Sequence, residues 1–178
     1  MNKFNLQLFA AEAVKGNQIV YLFRIAKDAA IKNAVAMAFT TENERSKSKD
    51  SDSVVTKDGS INIPGAVEQE ISATALLAKD NPLADELEDA LDNNELIEIW
   101  EANLAEPVGE SGDKFKGRYF QGYLTEFTLS SSAEDHAEYE CTFAINGSGV
   151  KGENGVTVTT EQQEIANYVF KDTNSTGA

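Results

Sequence analysis

The sequence predicts a mainly β fold, a β-sandwich or flattened barrel with one flanking α-helix. Three observations carry this. Period-two alternation recurs along the chain, most cleanly where Ala137, Tyr139, Cys141, Phe143 and Ile145 alternate with Glu138, Glu140, Thr142, Ala144 and Asn146. A helical stripe follows Pro82 through Leu83, Leu87, Ala90 and Leu91. Between such runs lie short Gly, Asp, Asn and Ser turns, so about seven or eight strands and two short helices fit one chain.

Taken in order, residues 18–26 (QIVYLFRIA) are β-branched and aromatic on both faces and read as a buried strand. Val35, Met37 and Phe39 alternate with Ala36 and Ala38, giving a second strand. Residues 40–53 contain no apolar side chain and read as a solvated loop. Asp58-Gly59 then suits a two-residue hairpin turn, with Pro64-Gly65 closing that unit. Residues 67–76 form a strand with one wetter face. Asp80 or Asn81 can cap the helix that Pro82 opens, and Asn93-Asn94 stops it.

The next strand, 95–104, sets Leu96, Trp100 and Leu104 against Ile97 and Ile99. After a Gly/Pro/charge loop, residues 115–129 space Phe115, Tyr119, Tyr123 and Phe127 evenly, a spacing that favours the core over a stacking platform. A Ser-rich turn at 130–135 leads into the alternating strand 137–145. Residues 147–155 read as a glycine loop, and Thr160 with Gln163 resembles a capping box for a last helix with Ile165, Tyr168 and Val169 on one face. The expected organisation is a flexible arm at 1–16, a single β domain at 17–172 and a disordered tail at 173–178.

Composition narrows function. Fifteen Lys and Arg against 30 Asp and Glu give a formal charge of −15 over 178 residues, which disfavours direct wrapping of nucleic acid. The 41% hydrophobic content argues against disorder of the whole chain. One cysteine, Cys141, excludes an intramolecular disulfide. No apolar run is long enough to span a membrane as a helix. The N-terminal segment has one lysine and an apolar run interrupted by Asn5 and Gln7, a weak match to a signal peptide, so a retained arm is expected.

Nothing in the chain assembles a catalytic constellation or a cofactor site. His136 is the sole histidine and falls at a hairpin mouth, whereas Cys141 points to the apolar face, so the two do not form a nucleophile and base. Asp50-Ser51-Asp52 lacks the central glycine and closing glutamate of a calcium loop. The carboxylates around the helix are more simply its wet face than an acid/base pair. Gly147-Ser148-Gly149 lacks the remaining glycine of a dinucleotide fingerprint.

The order of weak motifs is more specific than any one of them. Gln18-Ile19-Val20-Tyr21-Leu22-Phe23 opens the domain, Thr56-Lys57-Asp58-Gly59 turns a hairpin, and an acidic helix runs from Asp85 toward Trp100. Tyr119-Phe120-Gln121-Gly122-Tyr123 and the 131–135 hairpin tip follow. This succession, covering residues 17–172, resembles the major tail tube proteins of long-tailed bacteriophages. The first ten residues also resemble the starts of other phage virion proteins.

The resemblance implies a structural virion protein, not an enzyme, that forms hexameric rings stacked into a tube through which DNA passes without specific binding. It implies assembly in the host cytoplasm and partners among the tape-measure, terminator and distal tail proteins. It also implies that a long loop reaches the neighbouring ring. Arg45, Lys47, Lys49, Asp50 and Asp52 in the 40–53 segment are the candidates for that contact. Asp85, Glu86, Glu88, Asp89 and Asp92 on the helix are candidates for a subunit interface. The alternatives are a monomeric carbohydrate-binding β-sandwich using Trp100, Tyr119 and Tyr123, or another component of the same fold such as a tail terminator.

Overall fold

A computed structural model of the chain describes residues 13–79 and 82–166. The expected arm (residues 1–12), the caps at Asp80 and Asn81, the Tyr168–Val169 face and the 173–178 tail fall outside those residues. The elements are β1 (Ile19–Ile25), β2 (Val35–Ala36), β3 (Thr40–Thr56), β4 (Gly59–Leu76), α1 (Pro82–Asp92), β5 (Ile97–Pro107), β6 (Lys114–Ser130), β7 (Glu138–Ile145), β8 (Val150–Lys151), β9 (Val156–Thr157) and α2 (Thr160–Ala166). All pairings are antiparallel, in the order β2-β1-β5-β6-β7-β4-β3, with β8 and β9 attached to β6.

The hydrogen bonds form one open sheet, yet that sheet folds over itself. Phe23 on β1 and Phe143 on β7 stack with centroids 5.2 Å apart. Two strands separate them in the pairing order, and three strand spacings amount to about 14 Å in a flat sheet. The sheet therefore curls until β1 faces β7. Its two edges also meet at one corner, because only Met37, Ala38 and Phe39 link β2 to β3.

A bulge makes the fold possible. Between Leu124 and Glu126 the β6–β7 register slips, leaving Thr125 as the extra residue of β6. Such a bulge bends a strand and lets it pass from one layer to another. It also reverses which side chains point inward: Phe120 and Leu124 are buried before it, and Phe127 packs on the core after it. Even spacing of Tyr119, Tyr123 and Phe127 consequently does not put them on one face. Tyr123 is exposed, Tyr119 is half-buried, and Phe120, between them, is the buried ring.

Between the two layers lie Phe23, Ile25, Ile71, Ile97, Ile99, Tyr139, Cys141 and Phe143, all buried. Leu83, Ala84, Leu87 and Ala90 bring α1 onto this core. Asn94 adopts a left-handed conformation (φ 52°) that ends the helix, as the Asn-Asn pair suggested. β1 and β5 have two apolar faces because a second cluster forms on their outer side. There Leu22, Ala102 and Phe115 are covered by Val156 and Val158, with Trp100 and Leu104 alongside.

Five local expectations change. Residues 40–53 are strand, the first part of the 17-residue β3, paired to β4 along its length. The hairpin turn is Lys57-Asp58, one residue earlier than expected, with Gly59 (φ 134°) already paired to Thr56. Pro64-Gly65 does not end the unit; it sits where the β3–β4 register shifts between Lys49 and Ser51, a bulge inside β4. The capping pair is Thr159 and Gln162: Gln162 N–H donates to Thr159 Oγ1 (3.3 Å), and Thr159 N–H donates to Gln162 Oε1 (3.0 Å). The 35–39 strand shrinks to Val35–Ala36, since Phe39 turns out with a positive φ of 54°.

Candidate assembly surfaces

β3 contains no apolar residue before Val54, so it contributes little to the core. Beyond Lys47↔Gln69, no described strand pairs with or covers the β3–β4 ribbon. Nine residues of β3 run on from there to Thr56, an arm of about 30 Å. The segment that carries the five contact candidates is thus a projecting hairpin.

The hairpin's root is pinned. Arg45 faces inward, its Nε 2.6 Å from Glu101 Oε2 on β5, and its guanidinium lies 5.9 Å from the Phe120 ring. Tyr21 donates its hydroxyl to the same Glu101 oxygen at 2.7 Å. Burial, then the Glu101 hydrogen bond and charge, push the Tyr21 phenol far above its ordinary range. Arg45 is therefore committed inside its own subunit. Lys47 and Lys49 follow it on the same side of β3 and remain exposed, while Asp50 and Asp52 lie on the opposite side.

On α1, Asp85, Glu88, Asp89 and Asp92 carry the wet face, with Glu86 half-buried between them and the body. Glu86 accepts a hydrogen bond from Lys32 Nζ at 2.7 Å. Lys27 pairs with Glu95 just beyond the helix. Three of the helix's neighbours, Lys27, Lys32 and Arg24, are held by Glu95, Glu86 and Glu98 within the subunit.

A second surface emerges only from the register. The outer side of β3, β4, β7 and the end of β6 aligns Glu42 with Thr74, Glu140 and Thr128, and Glu44 with Ser72, Thr142 and Glu126. Glu68, Glu70 and Glu138 share this side. Seven carboxylates stand among Ser and Thr hydroxyls, and among the described residues no Lys or Arg takes a place in these alignments. Each strand showed the signal singly, as glutamates two residues apart at 42/44, 68/70 and 138/140. Only the pairing turns them into one wall.

The aromatic candidates behave differently. Trp100 and Tyr119 pack 5.2 Å apart, Arg24 lies 5.0 Å from the Trp100 ring, and Tyr119 donates to Glu98 Oε1 at 2.6 Å. These groups brace β1, β5 and β6. Gly122, in the same motif, is required by space: a Cβ there would fall 2.4 Å from the Ala144 carbonyl oxygen. His136 is exposed. Cys141 is fully buried, and burial followed by Glu140 pushes its thiol up to about 12. The two are separated as the strand register required.

Residues 13–151 match the family model described as phage tail tube protein. The chain belongs to the phage tail tube protein family. Within this family of structural proteins, it is 36% identical over 171 residues to a protein of Staphylococcus phage phiMR25 named as a tail protein, covering 94% of this chain and 87% of that one. The SPP1 tail tube has the same fold, with a TM-score of 0.68 at 21% identity over 93% of this chain and 95% of that one. So does a chain from the tail of a gene transfer agent particle refined with C6 symmetry, with a TM-score of 0.60 at 14% identity over 79% and 99%. The tail tube chain is thus a structural tail tube subunit and not an enzyme. The carbohydrate-binding reading is not favoured.

Proposed function

We propose that this tail tube subunit closes into six-membered rings that stack into a hollow conduit, with DNA passing through the bore and the β3–β4 hairpin reaching the adjoining ring. The carrying observation is the pairing of an arm of about 30 Å with a face of seven uncompensated glutamates. A projecting two-stranded ribbon is marginal in water without something to lie on. A wall with one sign of charge, by contrast, suits a surface that a polyanion passes without adhering.

Facing the bore, the glutamate wall makes no base- or sugar-specific contact. Lys47 and Lys49 then meet carboxylates of the next ring, and the acids Asp85, Glu88, Asp89 and Asp92 of α1 are the candidate counterparts. Rings close through the open edges of the sheet, a liability in a monomer and a closure device in a ring. The partners are further copies of the chain and the tape-measure, terminator and distal tail proteins. The assembled form belongs to the virion, built in the host cytoplasm.

Native mass spectrometry and negative-stain microscopy of concentrated protein test this together. A sixfold species and rods are expected. A protein that stays monomeric at every concentration and salt, including with partner tail proteins, would overturn the reading.

A further inference from the structure

The hairpin's end is apolar. Val54 pairs with Ile61 and Asp52 with Ile63, so Val54, Ile61 and Ile63 share one side of the ribbon, 42%, 53% and 50% exposed. The bulge at Pro64-Gly65 arranges this. It shifts the parity of β4, so that odd-numbered residues point inward at Gln69 and Ile71 but outward at Ile61 and Ile63. Branched aliphatic side chains held out at the far end of an arm bury little in their own subunit.

The same chain carries an unfilled apolar groove. Between β1–β2 and the start of α1 lies a cavity of about 410 Å³, lined by Phe23, Ile25, Val35, Ala36, Ala38 and Leu83. Its rim carries Arg24 and Lys32 beside Glu86, while Asp52 and Asp58 flank the apolar tip. Groove and tip are therefore matched in apolar character and opposed in the weight of their charge. The groove sits at the β2 edge and the tip at the far end of an arm from the β3 edge, so tip and groove are different patches of one surface. A contact between different patches of identical chains is heterologous and continues from copy to copy.

We infer that the Val54, Ile61 and Ile63 tip of one subunit seats in the β1–β2/α1 groove of a second copy. This rests on the tube reading and gives the arm its target: an apolar seat, with Lys47 and Lys49 adding charge contacts along the shaft. Burial of a small cluster of branched side chains in a pocket is the usual form of a binding hot spot.

Paired cysteines test the seat in the full chain, whose native Cys141 is buried. Val35→Cys is combined with Ile61→Cys, and as a control with Val55→Cys on the opposite side of the ribbon. Concentrated protein is oxidised and run on a non-reducing gel, and the same sample is viewed by negative stain. A covalent ladder of subunits from the Val35→Cys/Ile61→Cys chain, absent from the control, is expected. Rods without that ladder, or equal ladders from both chains, overturn the seat and leave the tube reading standing. Neither rods nor ladder overturns both. Ile61→Asp in the otherwise natural chain should raise the concentration needed for assembly by about tenfold or more, as loss of one hot-spot side chain does. Unchanged assembly by Ile61→Asp counts against the seat.

Discussion

Arg45 on β3 and Glu101 on β5 are joined across the interior, Nε to Oε2 at 2.6 Å, although four pairing steps separate their strands in the sheet. The pair ties the root of the hairpin to the opposite layer, and Tyr21 completes it from β1. A basic residue in the hairpin thus serves the fold and not the neighbour.

Replacing Arg45 by Met leaves Glu101 with only Tyr21 close by and Arg118 at 3.9 Å. Both side chains of the pair retain some exposure to water, which screens the interaction. We expect a loss of about 1–3 kcal/mol, between the surface and buried limits for such pairs. Urea denaturation of the isolated subunit measures it. A change below a few tenths would remove the pinning role.

Lys47→Glu with Lys49→Glu should leave the circular dichroism and denaturation midpoint of the subunit unchanged, since neither lysine is buried. Tube growth followed by sedimentation should be abolished. Normal tubes from the double variant would confine the contact to the apolar tip.

Tyr139 is fully buried, and its hydroxyl has no hydrogen-bond partner among the described residues. Tyr139→Phe removes that oxygen and keeps the ring stacked on Phe127. We expect a gain of up to about 1 kcal/mol, the cost of an unsatisfied buried hydroxyl. Gln69, 6% exposed with neither amide atom bonded among the described residues, is the companion case. Gln69→Met should likewise raise the denaturation midpoint, and a fall at either site would mean that water satisfies the group.

Alkaline pH should destabilise the subunit. Burial pushes Cys141 and Tyr139 up to about 12, against ordinary values of 9.0 and 10.0, and pushes Tyr21 up as well. A group raised on folding lends stability that is complete below its unfolded value and lost as pH climbs through the folded one. Between about pH 9 and 12 the unfolded chain has already released protons that the native state holds, so the slope is negative. Urea midpoints across that window should fall, and Cys141→Ala should flatten the onset. An unchanged slope in the variant would exclude the thiol as a contributor.

Ring closure and stacking should proceed more readily as salt rises, because exposed like charges are screened beyond roughly 8 Å at physiological ionic strength. Sedimentation across a salt series reads this. Assembly that weakens steadily with salt would instead make the Lys47 and Lys49 contacts the main attraction.

Much of this fold is legible in the sequence because burial writes a period. Pro82–Asp92 is a helix with the bounds its proline, stripe and Asn pair suggest, and Tyr139, Cys141 and Phe143 are core residues as their alternation requires. Where no face is buried the period carries no information. Residues 40–53 are polar on both sides because they form an edge strand leaving the body, and only their partner β4 makes them a strand. Bulges defeat the period in another way: Thr125 and the Pro64-Gly65 region each reverse inside and outside partway along one strand. The glutamate wall and the apolar tip both depend on register, which no single stretch of residues contains.

The glutamate wall has a thermodynamic consequence for a ring that turns it inward. Carboxylates without cationic partners must gather mobile cations once they are enclosed, so closing the bore takes salt up where a DNA-binding protein releases it. The channel would then be filled in advance with the counterions of its cargo. A duplex entering it would exchange one cation atmosphere for another, with little change in free energy along its length.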